Sequence, residues 1–127
     1  MKKLVFYRCR HCGNVSIKLY DRRAPMFCCG EQMEILNANT ADAATEKHIP
    51  VVTVDGNVVT AVVGEVEHPM TPEHYITNIV FETNMGYYVR SFSSIDKPVA
   101  TYTLQENEQL TRVYEYCNLH GLWVYNA

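Results

Sequence analysis

Four of the five cysteines lie close together near the N-terminus, and their spacing is that of a metal site. Cys9 and Cys12 are separated by two residues and followed by Gly13, whereas Cys28 and Cys29 are adjacent. Two thiolates on one turn, beside a glycine that can become left-handed, are typical of zinc ribbons and iron–thiolate proteins. We predict one ion in a distorted tetrahedron of four sulfurs, because adjacent ligands must splay apart. Thiolates select zinc or iron, and the spacing does not choose between them.

The fifth cysteine belongs to a second group of candidate ligands. Cys117 and His120 have a spacing that lets one loop deliver a thiolate and an imidazole to the same ion. Three further histidines lie next to or between predicted strands: His48, His68 and His74. Four neutral nitrogens and one anionic sulfur exceed what a structural zinc uses, and they suit an iron centre with a vacant position. The remaining histidine, His11, lies between two cysteines of the first group and is predicted to be a surface residue.

The composition indicates a globular chain that stays in the cytoplasm. Its 127 residues are 47% hydrophobic and 20% charged, which suits one compact domain or two small ones. The first apolar run, residues 4–6, is too short for a signal peptide, and no run approaches the ~18 residues of a membrane span. In a reducing cytoplasm cysteines are more often ligands or nucleophiles than disulfides, and an odd number also argues against a disulfide scaffold.

Charge divides the chain at the same place as the cysteines. Residues 1–36 carry seven basic and three acidic side chains, a charge of +4, whereas residues 37–127 carry four basic and eleven acidic ones, a charge of −7. The division predicts two units with different partners, although a short segment can also be basic by chance. A unit of fewer than roughly 40 residues needs a metal, disulfides or oligomerisation to fold.

The elements that must position these ligands are predicted to be strands. In the first unit we expect strands at 4–8 and 15–20, with turns at 12–14 and 29–30, and beyond it a short helical turn at 41–46. Seven strands are expected in the second unit, at 51–54, 58–63, 76–82, 87–92, 99–104, 111–116 and 122–125. The first two flank Asp55-Gly56-Asn57, a strong hairpin signal because Asp-Gly readily supplies positive φ. Short strands with turns at close intervals predict an all-β sandwich.

Together these motifs closely resemble the desulfoferrodoxin family of two-iron superoxide reductases. The motifs, in the family's order, are Cys-x-x-Cys-Gly, Cys-Cys-Gly-Glu, Glu-Lys-His-Ile-Pro, His-Pro-Met, Glu-His-Tyr-Ile and Cys-Asn-x-His-Gly. The resemblance extends from Tyr7 to Trp123, with no substitution at a ligand position. It implies a desulforedoxin-like iron-binding domain in residues 1–36. An immunoglobulin-like β-sandwich in residues 37–127 would follow, with loops that hold a catalytic iron.

The resemblance also implies a role for each candidate residue. A first iron would be held by Cys9, Cys12, Cys28 and Cys29. The catalytic iron would have Cys117 as its axial sulfur and four equatorial imidazoles, from His48, His68, His74 and His120. By the same analogy Glu46 would ligate the oxidised iron from the sixth position, and Lys47 would be the cationic residue beside the substrate. Family members reduce superoxide to hydrogen peroxide without making dioxygen, take electrons from a carrier such as rubredoxin, and commonly form homodimers.

Two alternative functions compete with superoxide reduction. Residues 1–36 could be a zinc ribbon for nucleic acid, but the net charge of −3 and the lack of a broad basic stripe count against a nucleic-acid partner. The protein could also be an iron electron-transfer protein without a substrate. Within the favoured function, the first metal could relay electrons or could stabilise a domain whose charge suits an acidic carrier. No membrane partner is expected.

Overall fold

The chain is built from strands. The structure, a computed structural model, describes residues 3–39, 48–64 and 68–127, and these residues contain no helix. The all-β class predicted from the sequence is therefore confirmed, whereas the helical turn expected at 41–46 lies outside the described residues. The chain divides into two compact units, one ending at Asn37 and the other continuing from Ala38. Within the described ranges, no helix is long and apolar enough to cross a membrane.

The first unit is a three-stranded antiparallel sheet with a separate hairpin. Its strands are β1 (Phe6–Arg8), β2 (Val15–Ile17), β3 (Phe27–Cys28), β4 (Glu31–Gln32) and β5 (Glu34–Leu36). The sheet has the order β2-β1-β5, and β3 pairs with β4. The two predicted strands are shorter than expected, and β3 to β5 were not predicted. Among the described residues of this unit, the buried apolar side chains are Phe6, Cys9 and Met33, a core too small to stabilise it without help.

The second unit is a sandwich of two antiparallel sheets. Its strands are β6 (Pro50–Asp55), β7 (Val58–Val63), β8 (Ile76–Thr83), β9 (Tyr87–Ser91), β10 (Val99–Thr103), β11 (Leu110–Cys117) and β12 (Gly121–Asn126). The sheets have the orders β10-β7-β6 and β12-β11-β8-β9. All seven strands agree with the prediction to within one residue at each end. The Asp-Gly hairpin is also confirmed, since Asp55 pairs with Val58 and Gly56 has a φ of +62°.

The core lies between the two sheets. Alternate residues of β7 face it, because successive side chains of a strand point to opposite faces. The buried cluster includes Val59, Ala61, Val63, Ile79, Phe81 and Val113. Two of its members, Ile76 and Cys117, pair with each other at one end of the β8–β11 ladder. The pairing shifts register next to this pair, between Tyr116 and Cys117, an irregularity of the kind that strands often carry beside functional sites.

Candidate metal centres

Four imidazole rings at one end of the sandwich form a closed cycle. Neighbouring rings meet edge to face, with centroids 4.8 to 5.0 Å apart and interplanar angles of 64 to 82°. In order around the cycle they belong to His48, His68, His74 and His120. The first precedes β6, the next two lie between β7 and β8, and the last lies between β11 and β12. Three separate chain segments therefore build the cycle.

Cys117 adds a sulfur to the cycle. Its Sγ lies 3.9 Å from His120 Nδ1, and one donor atom from each of the five side chains lies within 4.8 Å of all the others. Cys117 pairs with Gly121 across a three-residue hairpin loop, and Gly121 has a φ of +85°. A left-handed residue of this kind commonly closes three-residue loops. The hairpin thus brings the thiol and the imidazole of the Cys-x-x-His motif to one point.

The tautomer of His68 is set within its own loop. The Nδ1–H group of His68 donates to the carbonyl oxygen of Pro69 at 2.7 Å. The lone pair of the neutral ring is then on Nε2. Histidines that bind metals usually donate their other ring nitrogen in this way, which fixes the orientation of the ring.

A tight turn holds the backbone of His74. The N–H groups of Thr71 and His74 each donate to the other residue's carbonyl oxygen, at 2.9 and 3.1 Å. The N–H group of His74 also lies 3.1 Å from the Thr71 hydroxyl oxygen. After the turn, the N–H group of Ile76 donates to Met70 Sδ at 3.4 Å. These bonds order the loop that leads into β8.

The donor set and its dimensions fit one transition-metal ion. Metal–ligand bonds of about 2.0 to 2.3 Å place donor atoms on opposite sides of an ion roughly 4 to 4.6 Å apart. The five donor atoms all lie within 4.8 Å of one another, which agrees with these distances. His48 Nε2 and His120 Nδ1 lie 3.2 Å apart, a distance at which two ring nitrogens need a proton or a cation between them. Five donors exceed the four of a structural zinc site, and the mixture of imidazoles with one thiolate suits iron.

The four N-terminal cysteines converge on a second point. Their sulfurs lie within 4.8 Å of one another, and the Sγ of Cys28 is 3.5 Å from that of Cys12 and 4.0 Å from that of Cys29. The adjacent cysteines reach one site because Cys29 and Gly30 form a two-residue hairpin turn in which both have positive φ, +53° and +73°. A left-handed cysteine is uncommon. The backbone of this turn provides the divergence that adjacent ligands require.

Backbone N–H groups point at two of these sulfurs. Those of His11 and Cys12 lie 3.4 Å from Cys9 Sγ, and that of Asn14 lies 3.5 Å from Cys12 Sγ. The Cys12 N–H group lowers the pKa of the Cys9 thiol to about 6; burial opposes this effect and the His11 N–H group adds to it. The turn therefore favours the thiolate, which is the form that binds metals.

The crowding of the sulfurs has the opposite effect on Cys29. The neighbouring side chains of Cys12, Cys9 and Cys28 raise the pKa of the Cys29 thiol to about 12. Several negative charges so close together repel one another, and a cation removes the repulsion. All four cysteines can therefore be thiolates together when a metal ion lies among them. No disulfide joins any of the chain's cysteines, all five of which lie in the described ranges.

Glu31 connects the two cysteine turns. Its carboxylate accepts hydrogen bonds from the Arg10 guanidinium and from His11 Nε2, the latter at 2.5 Å. Arg10, and then His11, lower the pKa of the Glu31 carboxyl. Both donors lie between Cys9 and Cys12, whereas Glu31 follows the second turn. His11, predicted to be a surface residue, is exposed.

Two predicted site residues lie outside the described residues. Glu46 and Lys47 directly precede His48 in the chain. The Glu-Lys-His motif is thus represented in the described residues by its histidine alone.

Comparison with known proteins identifies the family. The sequence model of the desulfoferrodoxin family matches residues 40–126. A desulfoferrodoxin from Syntrophotalea carbinolica is 42% identical over 96% of this chain and 95% of its own. The chain belongs to the desulfoferrodoxin family. The resemblance inferred from the cysteine and histidine motifs is therefore confirmed.

Solved structures of superoxide reductases resemble this chain and support its assignment to the family. The superoxide reductase from Treponema pallidum superposes with a TM-score of 0.84 and 33% identity, over 98% of both chains. The superoxide reductase (1Fe-SOR) from Giardia intestinalis superposes with a TM-score of 0.58 and 32% identity, over 65% of this chain and 98% of its own. These relatives confirm the predicted fold of an N-terminal cysteine unit and a β-sandwich. They also support an oxidoreductase with metal-binding histidines and cysteines.

The sequence motifs did not reveal the residues that support the ligands. Thr71, Glu31 and Asn118 make their contacts through hydrogen bonds to turns, and Trp123 contacts His48 through its ring. Asn118 was visible as the second residue of the Cys-Asn-x-His motif, but nothing in the sequence indicated its partners. Glu31 was likewise visible, as the last residue of the Cys-Cys-Gly-Glu motif, which placed it beside the second cysteine turn.

Proposed function

We propose that the chain is a superoxide reductase. The reaction adds one electron and two protons to superoxide and gives hydrogen peroxide. The observation that carries this proposal is the cycle of four imidazoles, together with the buried thiol of Cys117, within one small volume. The metal would be iron held by His48, His68, His74, His120 and Cys117. When bound, the iron would supply the electron and the positive charge that attracts the anion.

The composition of the ligand set suits this reaction. Neutral imidazoles leave most of the charge of a divalent ion uncompensated, which favours binding of a small anion. The Cys117 thiolate would donate electron density to the metal, as the thiolate ligands of haem enzymes do. The Nδ1–H bond to Pro69 leaves Nε2 of the neutral His68 ring as the nitrogen that would bind the metal.

Exposure differs between the ligands in a way that fits a small diffusing substrate. Cys117 has no solvent-accessible surface, and His48 and His68 are buried. His74 is half-buried and His120 is exposed. Two partly exposed imidazoles would keep the metal close to solvent, from which a small anion diffuses. Burial would protect the sulfur from the peroxide product, because oxidation of cysteine depends on its exposure.

The sequence adds two residues to this proposal. Glu46 would provide a carboxylate ligand to the oxidised metal, and Lys47 would attract the superoxide anion. A local cation matters here because residues 37–127 carry a charge of −7, which repels an anion at long range. The support for both roles is the family motif and the position of the pair directly before His48.

We propose that the first unit binds iron through its four cysteines and receives the electron donor. A rubredoxin-like carrier is the expected donor, and the family's homodimer is the expected assembly. The charge of +4 in residues 1–36 would favour the approach of an acidic protein. Large apolar side chains are exposed in the same unit: Leu19 at 89%, Tyr20 at 78% and Phe27 at 65%. Zinc is the alternative metal for this site, since four thiolates bind both ions.

Metal analysis and superoxide kinetics test the proposal directly. The purified protein should contain two irons, with separate visible bands for the two thiolate sites. Addition of superoxide to the reduced protein should give peroxide without release of dioxygen. Cys117→Ser should abolish the band and the reaction of the second site, whereas Cys12→Ser is the matched control that leaves both unchanged. A reduced protein that contains iron but does not react with superoxide would instead indicate an electron-transfer protein.

A further inference from the structure

Asn118 joins the hairpin that carries Cys117 to the loop that carries His74. The Oδ1 atom of Asn118 accepts a hydrogen bond from the Tyr75 N–H group at 2.9 Å, and its Nδ2 donates to the Glu73 carbonyl oxygen at 2.9 Å. The backbone N–H group of Asn118 donates to the Tyr75 carbonyl oxygen at 3.3 Å. The three bonds hold the residues on both sides of His74. We call this arrangement the Asn118 bracket.

The opposite end of the same pair of strands has a second bracket of identical design. Asn84 directly follows β8, and its Oδ1 accepts from the Gln109 N–H group at 2.7 Å. Its Nδ2 donates to the Asn107 carbonyl oxygen at 3.2 Å, and its backbone N–H group donates to the Gln109 carbonyl oxygen at 3.0 Å. Each asparagine thus directly follows one of the two strands, β8 or β11. It binds the residues that lie one and three positions before the start of the other strand.

The two brackets differ in what they hold. The Asn84 bracket joins two turns that contain no histidine or cysteine. The Asn118 bracket fixes His74 relative to Cys117, the residue directly before Asn118, and to His120 two residues after it. Asn118 is exposed, so its side chain contributes little to the apolar core. The contacts of Asn118 therefore link two ligand-bearing loops that are distant in the sequence.

We propose that Asn118 is a positioning residue for the metal centre of the second unit. The proposal rests on the proposed function only in that this centre binds a metal. Ligands on surface loops need supporting hydrogen bonds to stay within a few tenths of an ångström of the binding geometry. Loss of the bracket would let the His74 loop move away from the hairpin while both loops remain attached to the sandwich. Supporting residues of this kind typically change metal affinity by about 10- to 100-fold.

The comparison of Asn118→Ala with Asn84→Ala tests the proposal. Both variants lose the same two side-chain hydrogen bonds at an end of the same strand pair, so both should lower the urea midpoint of the metal-free protein by a similar amount. Only Asn118→Ala should release iron to a chelator about tenfold faster from the second site and shift its visible band and its reduction potential. Titration with Co²⁺ should show the same weakening for Asn118→Ala, with the wild-type affinity for Asn84→Ala.

A second variant guards against failure of the alanine protein to fold. Asn118→Ser keeps an oxygen that can accept from the Tyr75 N–H group but lacks the amide NH₂ group that donates to Glu73, so we expect a smaller change in the same direction. Equal release rates and identical bands for the Asn118 and Asn84 variants would overturn the proposal. Wild-type protein that binds Co²⁺ and iron but does not reduce superoxide would refute the proposed function and leave this comparison valid.

Discussion

The indole ring of Trp123 lies nearly parallel to the imidazole of His48, with ring centroids 4.7 Å apart and 13° between the planes. The same indole donates its N–H group to the carbonyl oxygen of His120 at 3.1 Å. Trp123 therefore contacts two candidate ligands that arrive from opposite ends of the second unit's sequence. A single buried side chain restrains one ring by stacking and the backbone of the other by a hydrogen bond.

Trp123 variants should separate these two contacts. Trp123→Phe keeps a ring against His48 but lacks the N–H donor, so we expect a moderate shift of the second site's visible band. Trp123→Leu loses both contacts and should release metal faster, with a loss of about 2 kcal/mol in unfolding free energy because a large buried ring is removed. Tyr125→Leu, on the same face of β12, is the control: it should lower stability and leave the band unchanged. A wild-type spectrum in Trp123→Leu would contradict this role.

Lys47→Ala should slow the reaction with superoxide. The substitution removes the positive charge directly before His48 and makes the charge of the second unit more negative. Because this charge repels superoxide, we expect the second-order rate constant to fall by roughly tenfold or less. The rate should also depend less on ionic strength than in the wild type. Lys97→Ala removes an exposed lysine from the same unit and should have a smaller effect. Identical rates in the wild type and Lys47→Ala at low salt would exclude the role.

Glu108 stabilises the far end of the sandwich through its charge. Its carboxylate accepts hydrogen bonds from the Thr83 hydroxyl at 2.6 Å, the Gln105 N–H group at 2.9 Å and the Tyr102 hydroxyl at 3.0 Å. Burial raises the pKa of the Glu108 carboxyl, but these donors outweigh it and hold the pKa below its usual range. Because the folded pKa is depressed, this stabilisation is present above the unfolded pKa and is lost as the pH falls through the folded pKa.

Glu108→Gln should therefore destabilise the protein in a pH-dependent way. At pH 7 we expect a loss of about 2 kcal/mol in unfolding free energy, since hydrogen bonds to an ionised group are replaced by neutral ones. The difference from the wild type should shrink as the pH falls through the depressed pKa of the wild-type carboxyl, which then takes up a proton. Urea midpoints at several pH values measure this, with the exposed Glu106→Gln as a control of equal charge change. A difference that does not depend on pH would show that the charge of Glu108 is unimportant.

Cys12→Ser should remove the metal of the first unit without changing the second centre. The first unit has a small apolar core, so we expect it to lose order together with its metal. Reaction of the chemically reduced protein with superoxide should remain at the wild-type rate, whereas turnover driven by a protein donor should fall because the docking unit is lost. Visible spectra and the two kinetic assays measure these effects. Full donor-driven turnover would exclude both a relay and a docking role.

The strands of the sandwich could be predicted because they are long and regularly punctuated. Runs such as 58–63 alternate between the core and the outer face, and Asp-Gly marks the hairpin before that run. The strands β3 to β5 were not predicted, because two or three residues are too few to show a period. The pairing of β3 with β4 follows instead from the left-handed turn at Cys29 and Gly30, whereas β5 pairs with β1, about 26 residues before it in the chain.

The candidate ligands could be found from the sequence because histidine and cysteine combine suitable chemistry with recognisable spacing. Their supporting residues could not, because those contacts join distant parts of the chain. Asn118 is 43 residues from Tyr75, and asparagine is a common residue in turns. The stacking of Trp123 on His48 likewise depends on the packing of β12 against the segment before β6. Only the folded chain shows that these ordinary residues hold the ligands together.

The position of Cys117 in β11 sets the order in which the second centre should come apart. Its strand is paired on both sides, with β8 and β12, so amide hydrogen exchange there should require a larger opening than exchange in the loops. Residues 68–75 and 118–120, in contrast, lie in loops, where exchange is governed by small local openings. A bound ion would thus be tethered by its sulfur to a strand that is paired on both sides. Its histidines could detach and rebind one at a time while the thiolate keeps the ion in place.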